Sequence, residues 1–215
     1  MNMNLENNSF LIFKPDNKFH ITPNRVVYTL FLVTFIPAAI ELIIVGEDNF
    51  SELGEFLLAL SISVMLVAQF YRFFSMNNHE PILGDVVRGL KFCFDTIHTD
   101  EAFYEIKNIR KIEIYCGSFE GDIIISRGNY NGGISNGLHN KLIIHFNDNK
   151  QVEIFFHQAY EYEIRKIKAY LIHYHLQGKI HFLRLIELLG ITDYDEIQKF
   201  KKEIYIESIS DNPLN

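Results

Sequence analysis

The chain has 215 residues, with 20 Lys and Arg against 27 Asp and Glu, a net charge of −7 and no Trp. That balance excludes a general attraction for nucleic acid, and residues 75–215 keep it, with 16 basic and 20 acidic side chains. Only Cys93 and Cys116 occur, without CxxC spacing, so no disulfide framework or thiolate metal site is read and both are expected as buried, reduced thiols.

Residues 1–24 form a short N-terminal β segment. Within it, SFLIFKPDNKFHIT (9–22) reads as two strands around a Pro15-Asp16-Asn17 turn, a hairpin able to join a later sheet. Two long apolar runs follow, Arg25–Gly46 and Phe56–Phe74. At 1.5 Å per residue they reach about 31 and 28 Å, against a hydrocarbon core of about 30 Å. A helical hairpin buried in a soluble core would carry a polar stripe. Here only Thr29, Thr34 and Glu41 interrupt the first run, and Ser61, Ser63 and Gln69 the second before Arg72. The expectation is a transmembrane hairpin over 25–74, with spans at 26–46 and 56–74. A signal peptide is disfavoured, because the first run starts 25 residues in and exceeds an h-region.

Lys14, Lys18 and Arg25 precede the first run and Arg72, Arg88 and Lys91 follow the second, whereas residues 47–55 carry no Lys or Arg. Both termini are therefore expected on the cytoplasmic side. Glu41 is the ionisable residue at membrane depth and hence a functional candidate. It is expected about 7 Å from the outer end, opposite Ser61, which would hydrogen-bond it. Pro37 is expected to kink the first helix.

Residues 75–90 read as a linker with Pro81 and Gly84. Six segments then alternate at strand period: 91–98, 102–107, 111–116, 122–126, 141–146 and 151–156. The last two flank Asn147-Asp148-Asn149-Lys150, a four-residue hairpin loop. These strands predict an antiparallel six-stranded barrel or sandwich. Tyr160, Ile164, Ile167, Leu171 and Tyr174 recur at 4-3-4-3 spacing and predict a closing helix over 158–175. A helical appendage fills 177–215: a helix over 180–189 ends at Gly190, a capping box at Thr192–Asp195 opens another through about Ile206, and SDNPLN frays. The fold class is α+β.

A two-helix hairpin, then about six strands and one amphipathic helix, resembles bacterial two-transmembrane-helix proteins with a PH-like cytosolic domain. The resemblance spans residues 20–175 and rests on element order, on YEIKNIRKIEIYCGSFEGDIII (104–125) and on the loop before KLIIHF. It implies a bacterial inner (cytoplasmic) membrane, multi-pass, and a domain over 91–176 that binds a protein or self-associates.

The loop from Gly128 to Gly137, with Gly132 and Gly133 at its centre, lacks the Gly-Lys-Ser/Thr ending of a phosphate loop and reads as a long mobile hairpin loop with some capacity for binding. His173 and His175 point about 200° apart on a helix and share no metal. Arg110, Lys111, Arg165, Lys166 and Lys168 form a basic patch that would touch the inner leaflet, offset by Glu161 and Glu163. No nucleophile elbow or spaced carboxylate pair stands out. The reading is a membrane protein without catalytic residues, cofactor or metal, whose partners are the lipid bilayer and a protein or a second copy. The alternative is a regulator or carrier that senses an ion or lipid through Glu41 and the hairpin.

Overall fold

The computed structural model describes residues 8–124 and 128–210, and divides them into two compact units. One holds the described residues of 1–16, 84–120 and 136–215; the other holds 17–83 and 121–135.

The first unit is built on seven antiparallel strands: β1 (Ser9–Pro15), β2 (Gly84–Phe92), β3 (Thr96–His98), β4 (Phe103–Glu105), β5 (Ile109–Tyr115), β8 (Asn140–Phe146) and β9 (Gln151–Phe156). Between β5 and β8 the chain forms β6 (Glu120–Ile123) and β7 (Ile134–Asn136), which pair with each other. The sheet order is β4-β3-β2-β1-β9-β8-β5. The expected antiparallel sheet is present, but the six-stranded barrel or sandwich is corrected to one seven-stranded sheet that does not close. The extra strands come from the chain's beginning and from the supposed linker, for β1 pairs with β2 from Ser9↔Lys91 to Pro15↔Gly84. The edge strands β4 and β5 are consecutive in sequence. The turn Ile106–Asn108 joins them, and Tyr104 meets Phe146 at 5.5 Å, so the sheet rolls without its edges forming a ladder.

Alternation decides what the sheet buries. Phe10 and Ile12 of β1, Leu90 and Phe92 of β2, Ile112 and Ile114 of β5, Leu142 and Ile144 of β8, and Ile154 and Phe156 of β9 share one core. The second strand expected in 9–22 does not form, and strand 91–98 breaks at Cys93–Asp95 into the β2–β3 turn. The 147–150 turn is as expected, with Asn149 at φ 65° and Phe146 N–H donating to Lys150 O at 2.9 Å. Of the segment 122–126, Ile125 and Ser126 lie outside the described residues, as does 211–215 of the tail.

The closing helix is shorter than its stripe. Tyr162 adopts φ 57°, a left-handed conformation that no helix propagates, so a 3₁₀ turn (Glu163–Ile167) leads into α3 (Lys168–Leu176) and Tyr160 is left exposed. The two long helices of the other unit are α1 (Pro23–Val45) and α2 (Glu52–Ser75). Ile164, Ile167, Leu171 and Tyr174 are buried against the sheet, as the periodicity requires. The appendage belongs to this core: α4 (Phe182–Leu188) and α5 (Tyr194–Ser210) contribute Leu185, Leu188, Phe200 and Ile204. Asp193, rather than Thr192, caps α5, its Oδ1 accepting from Asp195 and Glu196 N–H. The same segment covers the free edge of β5: Ile112 N–H donates to Lys179 O at 2.8 Å, and Arg184 Nε donates to Ile114 O at 2.7 Å.

Asn140 is a saturated hub at the base of the excursion between β5 and β8. Its Oδ1 accepts from Gly117 N–H (3.0 Å), Ser118 N–H (3.2 Å) and Gln158 Nε2 (3.4 Å), and its Nδ2 donates to Gly137 O (2.8 Å) and Phe156 O (3.3 Å). Burial of an amide this complete is tolerated only because every polar atom has a partner. The thiols differ from expectation: Cys93 is half-buried and Cys116 exposed, because both fall where strands end.

The second unit is the helical hairpin, α1 (Pro23–Val45) and α2 (Glu52–Ser75). Both are long and apolar enough to cross a membrane. The helices meet through small residues. Thr34 and Ala38 are buried on α1, and Gly54, Ser61, Ala68 and Ser75 are buried at every seventh position of α2. Small side chains let the backbones approach. The hydroxyls bond within their own helices, Thr34 to Leu30 O at 3.0 Å and Ser61 to Leu58 O at 2.7 Å. Large apolar side chains, such as Val33, Ile43, Phe56 and Val67, point outward.

Candidate functional site

Of residues 121–135, the described ones (121–124 and 128–135) belong to the hairpin unit together with 17–83, and they meet polar residues toward one end of α1 and α2. Thr22 Oγ1 caps α1 by accepting from Arg25 N–H at 3.4 Å, and Pro23 occupies the first helical position, where a missing N–H costs nothing. Asn24 then holds a first-turn amide with no partner inside the helix. Asn131 Oδ1 accepts it at 3.1 Å, Asn24 Nδ2 donates to Asn129 Oδ1 at 3.3 Å, and Tyr130 N–H donates to Asn24 Oδ1. Tyr130 itself is buried, its ring edge-on to Tyr28 at 6.0 Å and its hydroxyl accepting from Gln69 Nε2 at 3.3 Å. Tyr28 donates to Gly128 O at 2.9 Å. One loop thus ties α1 and α2 together through side chains of both.

The glycines explain how the loop fits. A Cβ on Gly133 would stand 2.3 Å from Met76 O, and one on Gly132, at φ 140°, would stand 2.8 Å from Asn78 O and His79 O. Gly133 and Ile134 N–H both donate to Asn78 O at 3.1 Å, and Glu80 N–H donates to Ile134 O at 2.9 Å. Gly132 and Gly133 therefore allow a backbone-to-backbone approach against the chain leaving α2. The loop expected to be mobile is clasped to the hairpin. A large aromatic ring at Tyr130, in a Gly/Asn-rich stretch that cannot bury it alone, was the available signal; Asn24, Tyr28 and Gln69 gave none beyond polarity.

Glu41 and Ser61 do not meet. Glu41 Oε1 accepts from Ser51 N–H at 3.0 Å, and its other oxygen lies 2.5 Å from where a Gly54 Cβ would be. The carboxylate reaches past the seam to the N-terminus of α2, where unpaired amides and the helix dipole favour an anion, while Ser61 satisfies itself locally. The basic residues also find separate partners. Arg110 donates to Asn149 Oδ1 at 2.7 Å, Lys111 pairs with Glu113, and Arg165 stacks 4.0 Å over Tyr162. Lys166 pairs with Glu163 at 2.7 Å and lies over Phe10, while Lys168 lies over Phe200. The Lys111 bond, reinforced by His145 and Tyr115, holds the Glu113 carboxyl below the usual range.

His173 bonds Gln177, His175 bonds Ile180 O and His181 Nδ1 caps α4 through Leu183 N–H. Among the described residues no three His, Cys, Asp or Glu side chains converge as a metal set would. No protein-family model, no curated protein and no solved structure matches the chain.

Proposed function

We propose that this chain is an integral protein of a bacterial inner (cytoplasmic) membrane. In this reading its sheet unit, a variant of the PH-like plan, faces the cytoplasm and acts as a protein-binding or self-association module. One observation carries the anchoring: β1 precedes α1, β2 follows α2, and the two form one ladder. Both ends of the hairpin must then lie on the same side of anything the helices cross. The outward apolar surface of α1 and α2 supports a bilayer as that medium, and the six flanking basic residues support the cytoplasmic side. The PH-like plan draws support from one rolled antiparallel sheet followed directly by α3 on its core.

Support for a binding role comes from the sheet face opposite the core. There Tyr115, Ile143 and Phe155 stand in successive strands beside the Lys141–Glu153 pair at 2.7 Å, a mixture of rings and charge suited to another protein or a second copy. The regulator reading loses its main residue, since Glu41 is committed to the turn between the helices.

The test uses membranes containing the full chain. After an alkaline carbonate wash the protein should stay in the pellet, and a reporter active only outside the cytoplasm, fused after Asn215, should be silent. Extraction would overturn the anchor, and an active reporter the orientation. Amine cross-linking before solubilisation should yield a discrete heavier species; monomer alone would overturn the binding module.

A further inference from the structure

The β6–β7 hairpin is fastened at a fixed height on the helices. Gly133 abuts Met76, one residue beyond the end of α2, and Tyr28 of α1 reaches Gly128. Arg72, Ser75, Met76, Ile123 and Ile124 line a single small concavity there. At 24 residues α2 is about 36 Å long, several ångströms more than a hydrocarbon core of about 30 Å, and Arg72 in its last turn marks that end as the one to reach the headgroup layer of a bilayer. Whatever is clipped to Met76 stands there too.

That level is ringed by uncovered apolar side chains. Ile123 is 68% exposed on β6, Phe73 and Phe74 are 72% and 74% exposed on α2, and Phe19 and Ile21 are 80% and 79% exposed just before α1. Exposed apolar side chains are equally frequent along the helices themselves, as at Val33, Ile62, Leu66 and Val67. Lys18, Arg25 and Arg72 lie close in the chain to Phe19, Ile21, Phe73 and Phe74, Arg25 4.6 Å over the Phe19 ring, while residues 47–55 at the other end carry no basic side chain. Rings and aliphatic groups with basic heads at one level are the composition of a protein surface in a phospholipid interface.

We propose that the β6–β7 hairpin is a membrane-surface element, seated in the inner-leaflet headgroup layer with Ile123 in phospholipid and with Lys18, Arg25 and Arg72 at phosphate depth. This rests on the membrane-spanning reading, and the experiment separates the two. Because the chain lacks Trp, a single introduced indole reports its own depth. The full chain is reconstituted into vesicles of phosphatidylcholine and phosphatidylglycerol, brominated either high or low on the acyl chain. Ile123→Trp, Phe74→Trp and Leu66→Trp are compared, all three at exposed positions. The expected result is lipid quenching of all three. Ile123→Trp and Phe74→Trp should lose more emission to high bromination and be shielded from iodide, and Leu66→Trp should lose more to low bromination. If Leu66→Trp is quenched by lipid but Ile123→Trp only by iodide, this inference fails while the span stands. If lipid quenches none of them, both fail.

Discussion

Replacing Asn140 with Leu keeps the branching and the number of side-chain heavy atoms, adds bulk, and removes every polar atom from the hub. Five hydrogen bonds disappear, from Gly117, Ser118 and Gln158 into Oδ1 and from Nδ2 to Gly137 and Phe156. Gly117 is exposed and finds water. Ser118 N–H and the Gln158 amide lie against the buried site and lose a partner that water does not readily replace, whereas Gly137 O keeps the Gln158 backbone N–H at 2.9 Å. At about 1–3 kcal/mol for each of these two stranded groups, and allowing for gained apolar burial, the loss is about 2–4 kcal/mol. For a unit of this size that corresponds to a fall in Tm of roughly 10 °C. Thermal unfolding of the full chain in detergent, followed by near-ultraviolet circular dichroism, measures it. Lys201→Ala, at an exposed position on α5, serves as the reference. A fall for Asn140→Leu no larger than for Lys201→Ala would show that the excursion is not pinned by this amide.

Leu171→Ala should cost about 2–5 kcal/mol, because its side chain is enclosed by the sheet and α3, whereas Lys168→Ala should barely move the same melt; equal small effects would mean that α3 is undocked. Glu41→Gln keeps an acceptor for Ser51 N–H and should leave hydrogen exchange at Ser51–Gly54 unchanged, while Glu41→Leu should accelerate it; no difference between the two would remove the turn-capping role. The Glu113 carboxyl is held low by Lys111 first, so its folded pKa lies beneath its unfolded one. Its contribution to stability is full above the ordinary glutamate range and is lost as pH falls through the folded value. Lys111→Met should flatten that acid limb in a stability-against-pH series, and an unchanged limb would refute the assignment.

Legibility in the sequence followed the range of the interactions. The two apolar runs and the β8–β9 hairpin are local patterns, complete within about twenty residues, and the structure has them within a few residues of the expected bounds. The core stripe Ile164, Ile167, Leu171 and Tyr174 was visible for the same reason, but the left-handed Tyr162 that shortens the helix was not, since no side-chain pattern encodes it. Strand β1 was recognised, yet its place between β2 and β9 depends on pairings across most of the chain. The seam Gly54-Ser61-Ala68-Ser75 is regular, but small residues inside an apolar run carry little contrast. The clasp was misread because Gly and Asn serve mobile turns and close backbone approach alike. Only the partners, Asn24 and Met76–His79, distinguish the two uses.

The central position of β1 imposes an order on biosynthesis. This strand leaves the ribosome before either long helix, yet it lies between β2, made after both helices, and β9, made near the end of the sheet. At about 5–20 residues per second, β1 waits roughly 7–27 s after its own synthesis before β9 begins. Until β2 is made both edges of β1 lack their neighbour, and until β9 follows one edge still does, with the Phe10 and Ile12 face short of most of its core. A nascent chain that loses β1 to the wrong compartment, or to another strand, forfeits the middle of its sheet rather than a border. Early formation of the helical hairpin and late assembly of the sheet are therefore two halves of one folding problem, with the seven-residue strand β1 as the element that must survive from one to the other.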